Sequence, residues 1–122
     1  MKHLVNWIEI PVADITRAKA FYGKILGVEF YDMAMGPITY ALFPTEDRHN
    51  CGALAQGSDY KPGTSGPVIY LDGGDDLDSV LSKVKPAGGQ VTLKKTFLSD
   101  QAGYVGMFTD SEGNRIGVHN PK

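Results

Sequence analysis

Cysteine is nearly absent: one, Cys51, in 122 residues. That excludes an internal disulfide and any Cys-x-x-Cys metal or redox site. There is no basic excess, because 12 Lys and Arg face 14 Asp and Glu for a net charge of -2. Such a chain has no surplus of cations to neutralise phosphates, so nucleic acid is not the expected partner. No apolar run approaches the roughly 20 residues of a membrane helix, so no membrane partner is expected either. Residues 1–6 (Met-Lys-His-Leu-Val-Asn) carry no signal-peptide core. The expectation is a cytoplasmic protein. Long helices are scarce too, since 15 glycines and 7 prolines cut the chain into short elements. Apolar residues, at 42% against 21% charged, suffice for one packed domain.

Alternation marks the first element. Leu4, Ile8, Ile10 and Val12 fall on even positions of segment 4–12, and Val5, Trp7, Glu9 and Pro11 on odd ones. A strand with one aliphatic and one mixed face follows. Asp14 reads as a helix N-cap, Ile15, Ala18, Phe21, Tyr22 and Ile25 repeat at helical spacing, and Gly27 reads as the stop. Arg17, Lys19 and Lys24 fall on that helix's solvated face. Strands are expected at 28–32, 38–43 and, more weakly, 51–56, with Gly36-Pro37 as a turn. Segment 57–67, Gly-Ser-Asp-Tyr-Lys-Pro-Gly-Thr-Ser-Gly-Pro, reads as a linker that could gate a pocket. The order then repeats. A strand at 68–72 precedes a helix carrying Leu77, Val80, Leu81 and Val84, ended by Pro86 and Gly88-Gly89. Strands near 90–98, 103–109 and 115–119 follow, the last two joined by the turn Asp110-Ser-Glu-Gly-Asn114. The expected fold class is α+β: two βαβββ modules, about 1–56 and 68–122, whose curved mixed sheets share a cavity.

The strings Ile10-Pro-Val-Ala-Asp14, Ala20-Phe-Tyr22, Leu26-Gly27, Ala87-Gly-Gly89 and Asp110-Ser-Glu-Gly-Asn-Arg-Ile116 occur in order on these elements. In them the chain resembles the vicinal oxygen chelate superfamily, which includes glyoxalase I, extradiol dioxygenases and bleomycin- and fosfomycin-resistance proteins. The resemblance implies ligand positions for a metal ion at three places, held here by Trp7, Val68 and Gly117. None of these side chains can bind one, since indole is only a donor and the other two carry no polar atom. No metal and no other cofactor is therefore expected.

Strand parity nominates what lines the cavity instead. If Trp7 faces it, so does Glu9; if Gly117 does, so do Arg115 and His119; if Val68 does, so do Tyr70 and Asp72. The opposite positions, Ile8, Ile10, Ile69, Leu71, Ile116 and Val118, are all aliphatic, as a helix-covered face demands. Glu9 and His119 form a candidate acid/base pair. Trp7, Tyr40, Tyr70, Asp72, Arg115 and Gly117 are the candidate substrate-binding residues, Gly117 by leaving room. The plainer readings stand beside these: Glu9 as a half-exposed strand carboxylate, His119 as a structural histidine, Trp7 and Tyr70 as core, Cys51 as an inert buried thiol. His3 lies about 20 Å along the strand from Glu9, too far to share an ion with it, and His49 falls in a polar loop.

The leading expectation is a metal-independent, glyoxalase/bleomycin-resistance-like protein that binds a small organic molecule. A lyase or isomerase using Glu9 and His119, and a metal enzyme with Glu9, His119 and Asp72 as displaced ligands, are the alternatives. A homodimer is expected, because so small a domain leaves sheet edges and cavity walls uncovered.

Overall fold

The computed structural model describes residues 4–45 and 51–121. His3 and His49 lie outside them. The first module holds β1 (Ile8–Pro11), α1 (Ile15–Leu26), β2 (Tyr31–Met35), β3 (Ile38–Leu42) and β4 (Gly52–Gln56). The second holds β5 (Ile69–Asp72), α2 (Leu77–Ala87), β6 (Gln90–Ser99), β7 (Gly103–Thr109) and β8 (Arg115–Asn120). Each makes a four-stranded mixed sheet, in the orders β1-β4-β3-β2 and β5-β8-β7-β6. The first and last strands of each module pair in parallel, and the other pairs are antiparallel. The α+β, two-module expectation is met.

Local chemistry explains the helix ends. The Asp14 carboxylate accepts from the Thr16 and Arg17 amides, both at 3.1 Å, satisfying two donors that a helix start leaves open. Gly27 ends α1 at φ 67°, where a side chain would be strained. Of the stops expected for α2, Gly88 serves and Pro86 does not. Proline occupies the last turn, and Gly88, at φ 111°, is where the chain leaves the helix. β2 begins at Tyr31 rather than residue 28, because its partner strand ends at the Tyr31–Leu42 pair. Phe30 packs on Phe43 instead, with ring centroids 5.3 Å apart. β1 likewise starts at Ile8, opposite Gly52, the first residue of β4.

One core runs through both modules. Phe21, Tyr22 and Ile25 of α1 and Leu77, Leu81 and Val84 of α2 pack with Ile10, Leu54, Phe108, Ile116 and Val118. Ile8, Ile69 and Leu71 pack against that cluster, so the aliphatic face expected from parity is the helix-covered one. Each fully buried side chain of this kind contributes about 1.5–3 kcal/mol.

The turn between β7 and β8 fastens the modules together. Asp110, 4% exposed, accepts from the Glu112 and Asn114 amides at 2.8 and 2.9 Å through Oδ1. Its Oδ2 accepts from the Tyr22 hydroxyl at 2.5 Å and the Asn114 amide nitrogen at 3.0 Å. Asn114 also donates to the Pro11 carbonyl at 2.7 Å and accepts from the Gly63 amide at 3.0 Å. Glu112 accepts from the Ala13 and Asp14 amides, both at 2.9 Å, and from Arg17 at 2.7 and 2.9 Å. Arg17 is thus half of an intermodule ion pair rather than a merely solvated cation. Lys19 likewise meets Asp32 at 2.7 Å.

Candidate functional site

Register places the uncovered faces. Across the first sheet, Glu9 lies beside Ala53, Ala53 beside Leu42, and Leu42 beside Tyr31, while Pro11, Ala55, Tyr40 and Met33 form the next row. Across the second, Tyr70, Gly117, Met107 and Leu93 form one row, and Asp72, His119, Val105 and Thr96 another. Cross-strand neighbours share a face. These rows therefore lie opposite the helix-packed side.

A cavity of about 460 Å³ opens between the two modules. Glu9 and Pro11 of β1, Ile69 of β5, Arg115 at the start of β8, and Lys61 of the linker are among its walls. The volume falls within the range of small-molecule sites. Of the eight residues nominated from the sequence, Glu9 and Arg115 line it.

Glu9 is half-buried and held on both oxygens. Trp7 Nε1 donates to Oε2 at 3.1 Å, and the Tyr60 hydroxyl donates to Oε1 at 2.6 Å. Tyr60 also hydrogen-bonds Tyr40, which is 5% exposed and packs with Ala53 and Ala55 on this face. The bond to Glu9, then that to Tyr40, then burial push the Tyr60 phenol well above its ordinary pKa. Tyr60 therefore stays protonated and acts as a fixed donor. Its position in a segment without periodicity hid it from strand parity. A lone aromatic among breakers was the available signal. The linker is itself a wall of the cavity, pinned by Asn114 at Gly63 and by the Arg115 Nη2, which donates to the Gly66 carbonyl at 3.1 Å.

The other nominated residues have different surroundings. His119 Nε2 sits 2.5 Å from the Ala102 carbonyl. A carbonyl only accepts, so Nε2 donates in this contact. Glu9 and His119 thus each engage a different partner. Asp72 is exposed, and its Oδ1 accepts from the Gly74 amide at 2.8 Å, fastening the turn before α2. Tyr70, 47% exposed, lays its ring over Gly117. A Cβ at Gly117 would overlap that ring, so the room expected there is filled from within the chain. Trp7 is 40% exposed and is not core. Cys51 is exposed, not buried, because the strand it was assigned to starts one residue later. Among the described residues, no three His, Cys, Asp or Glu side chains gather as a metal-holding group, the Glu9–His119–Asp72 set included. A bound metal ion does not fit this donor set.

A two-module α+β domain with a cavity between its sheets is the class of protein defined here. The chain belongs to the glyoxalase/bleomycin resistance protein/dioxygenase superfamily, whose family model matches residues 4–118. It is 30% identical over 117 residues to proteins of Mycobacterium bovis and Mycobacterium tuberculosis named "Putative glyoxylase CFP32". The match covers 93% of this chain and 44% of those proteins, so the chain spans less than half the length of the curated relatives it matches. Among solved structures it is similar to TnmS3, an antibiotic binding protein from Streptomyces sp. CB03234, with a TM-score of 0.67 and 23% identity, covering 100% of this chain and 98% of that one. It is also similar to a glyoxalase/bleomycin resistance protein from Albidiferax ferrireducens T118, with a TM-score of 0.66 and 17% identity, covering 95% and 97%. At such identities these two likenesses concern the fold. No helix among the described residues is long and apolar enough to cross a membrane.

Proposed function

We propose that this chain binds a small organic molecule in the cavity between its modules, without a bound metal ion. One observation carries the reading. Glu9 enters the cavity as a carboxylate held by two neutral donors, Trp7 and Tyr60, with no cation of the described residues paired to it. A half-buried carboxylate so oriented, with the Ile69 and Pro11 walls beside it, is a ready polar anchor in a recess of mixed polar and apolar lining. That TnmS3, a neighbour of the same fold, is an antibiotic binding protein agrees with it by analogy.

Trp7 is the chain's single tryptophan and donates directly to Glu9, so its emission reports on the site. The test is a fluorescence titration of chelator-treated protein with glutathione conjugates, 2-oxo acids, aromatic diols and glycopeptide antibiotics. Saturable change with at least one class is expected, weakened about tenfold or more in Glu9→Gln through loss of a charge-assisted contact. Binding that appears only on adding Zn²⁺, Ni²⁺ or Mn²⁺, or no response from any class, would overturn the reading.

The same reading includes a homodimer. Tyr31, Met33 and Met35 of the edge strand β2 are 67%, 42% and 57% exposed and share the uncovered face, and a second copy is the occupant proposed for it. Sedimentation at micromolar concentration is expected to give twice the 13.2 kDa chain mass. A monomer under those conditions contradicts it.

A further inference from the structure

The cavity carries charges of both signs that do not meet. Glu9 lines it at β1, Arg115 at the start of β8, and Lys61 on the linker. Among the described residues, the ion pairs are Arg17–Glu112, Lys19–Asp32 and Lys95–Asp76, so within that set none of the three cavity charges is paired. Glu9 is half-buried, while Arg115 and Lys61 are exposed to water. Here the two on the strands are tethered by neutral groups. Trp7 and Tyr60 hold the Glu9 carboxylate, and the Gly66 carbonyl takes one N–H of the Arg115 guanidinium. Both keep capacity in reserve. A carboxylate has about four acceptor sites, of which two are used, and a guanidinium has five donors, of which one is used.

We infer that the cavity takes a small zwitterion with an apolar body, its ammonium on Glu9 and its carboxylate on Arg115. This rests on the cavity being a small-molecule site, as proposed above, and adds the ligand's charge pattern. A ligand with one charge satisfies one of these groups and leaves the other without a counter-charge. A carboxylate suits Arg115 because the planar fork can accept it on two parallel bonds. Glu9 is held by a phenol and an indole N–H rather than by a cation, which leaves its remaining acceptor sites for an ammonium.

Four probes sharing one ring decide the matter: L-phenylalanine, 3-phenylpropanoate, 2-phenylethylamine and neutral 2-phenylethanol. Each is titrated against the whole chain, read by Trp7 emission and by the shift in melting temperature. The zwitterion is expected to bind on the order of tenfold tighter than either singly charged analogue, one charge-assisted contact apart. In Glu9→Gln the advantage over 3-phenylpropanoate is expected to vanish while that over 2-phenylethylamine persists. In Arg115→Gln the reverse is expected. Equal affinity of a singly charged or neutral probe overturns the inference and leaves the small-molecule reading standing. So does silence of all four probes where a member of the wider ligand panel binds. Silence in both experiments removes both. If a variant fails to fold, as its melting curve would show, the four-probe ranking on the unmodified chain still decides.

Discussion

Asp110→Ala is expected to cost about 4 kcal/mol of stability, the largest loss from any single side chain outside the apolar core. Four hydrogen bonds end on this carboxylate, and it is almost wholly buried. Bonds to a charged acceptor are worth about 1.5–3 kcal/mol each in isolation, but they are not additive within one network. The donors left behind decide the figure. The Tyr22 hydroxyl, on the buried face of α1, would have no acceptor, and its burial makes that expensive. The Asn114 side chain would lose the bond that aims it at Pro11, so β1 and the β7–β8 turn would loosen together. Chemical denaturation of Asp110→Ala and of Tyr22→Phe measures this. The second change removes one of the four bonds and is expected to cost about 1–2 kcal/mol. Equal stability of Asp110→Ala and the parent would show that the turn does not fasten the modules.

The second large effect is one of pH. Burial works against the charge of Glu112, but the Arg17 guanidinium, the Asp14 and Ala13 amides and the Ser111 hydroxyl outweigh it and hold the carboxyl down to about 2 from an ordinary 4.5. A carboxyl whose folded pKa lies below its unfolded one stabilises the fold at every pH above the unfolded value, and that stabilisation fades as pH falls toward the folded one. The window here is about pH 4.5 down to about 2. Arg17's side chain is 53% exposed while that of Glu112 is covered, so solvent screening trims the effect to about 2 kcal/mol. Glu112→Gln is expected to be less stable than the parent by about that much at pH 7, with the gap closing through this window. Parallel stability curves for the two proteins between pH 5 and pH 2 would refute it.

Both effects sit in the string Asp110-Ser-Glu-Gly-Asn114, which in the sequence reads as a polar turn. Its turn character was legible because Gly113, at φ 92°, and short polar side chains favour such a reversal. Its role as an intermodule fastener was not. Tyr22, Pro11, Arg17 and Gly63 lie about 50 to 100 residues away along the chain, and no local pattern encodes that distance. Element order, by contrast, was open to reading throughout. Apolar residues recur at 3.6 in α1 and α2, and Asp14, Asp76, Gly27 and Gly88 carry cap chemistry that acts within a few residues. Where strands began was less legible, as β2 shows, because a strand starts where its partner allows.

The candidate site divides the same way. Alternation alone placed Trp7 and Glu9 on one face, and the indole–carboxylate bond across that spacing follows from period two. Parity reports which side a residue faces and nothing about what stands opposite it. So Tyr60 went unseen, His119 was paired with Glu9 although its ring reaches the Ala102 carbonyl, and Gly117 was read as open although Tyr70 covers it. Short-range chemistry thus settles this protein's helices, caps, faces and module order, since each depends on residues close together in the chain. Which carboxylate meets which phenol, and where a cavity remains between two sheets, arose from packing segments remote in sequence, because such contacts exist only once the chain has closed on itself.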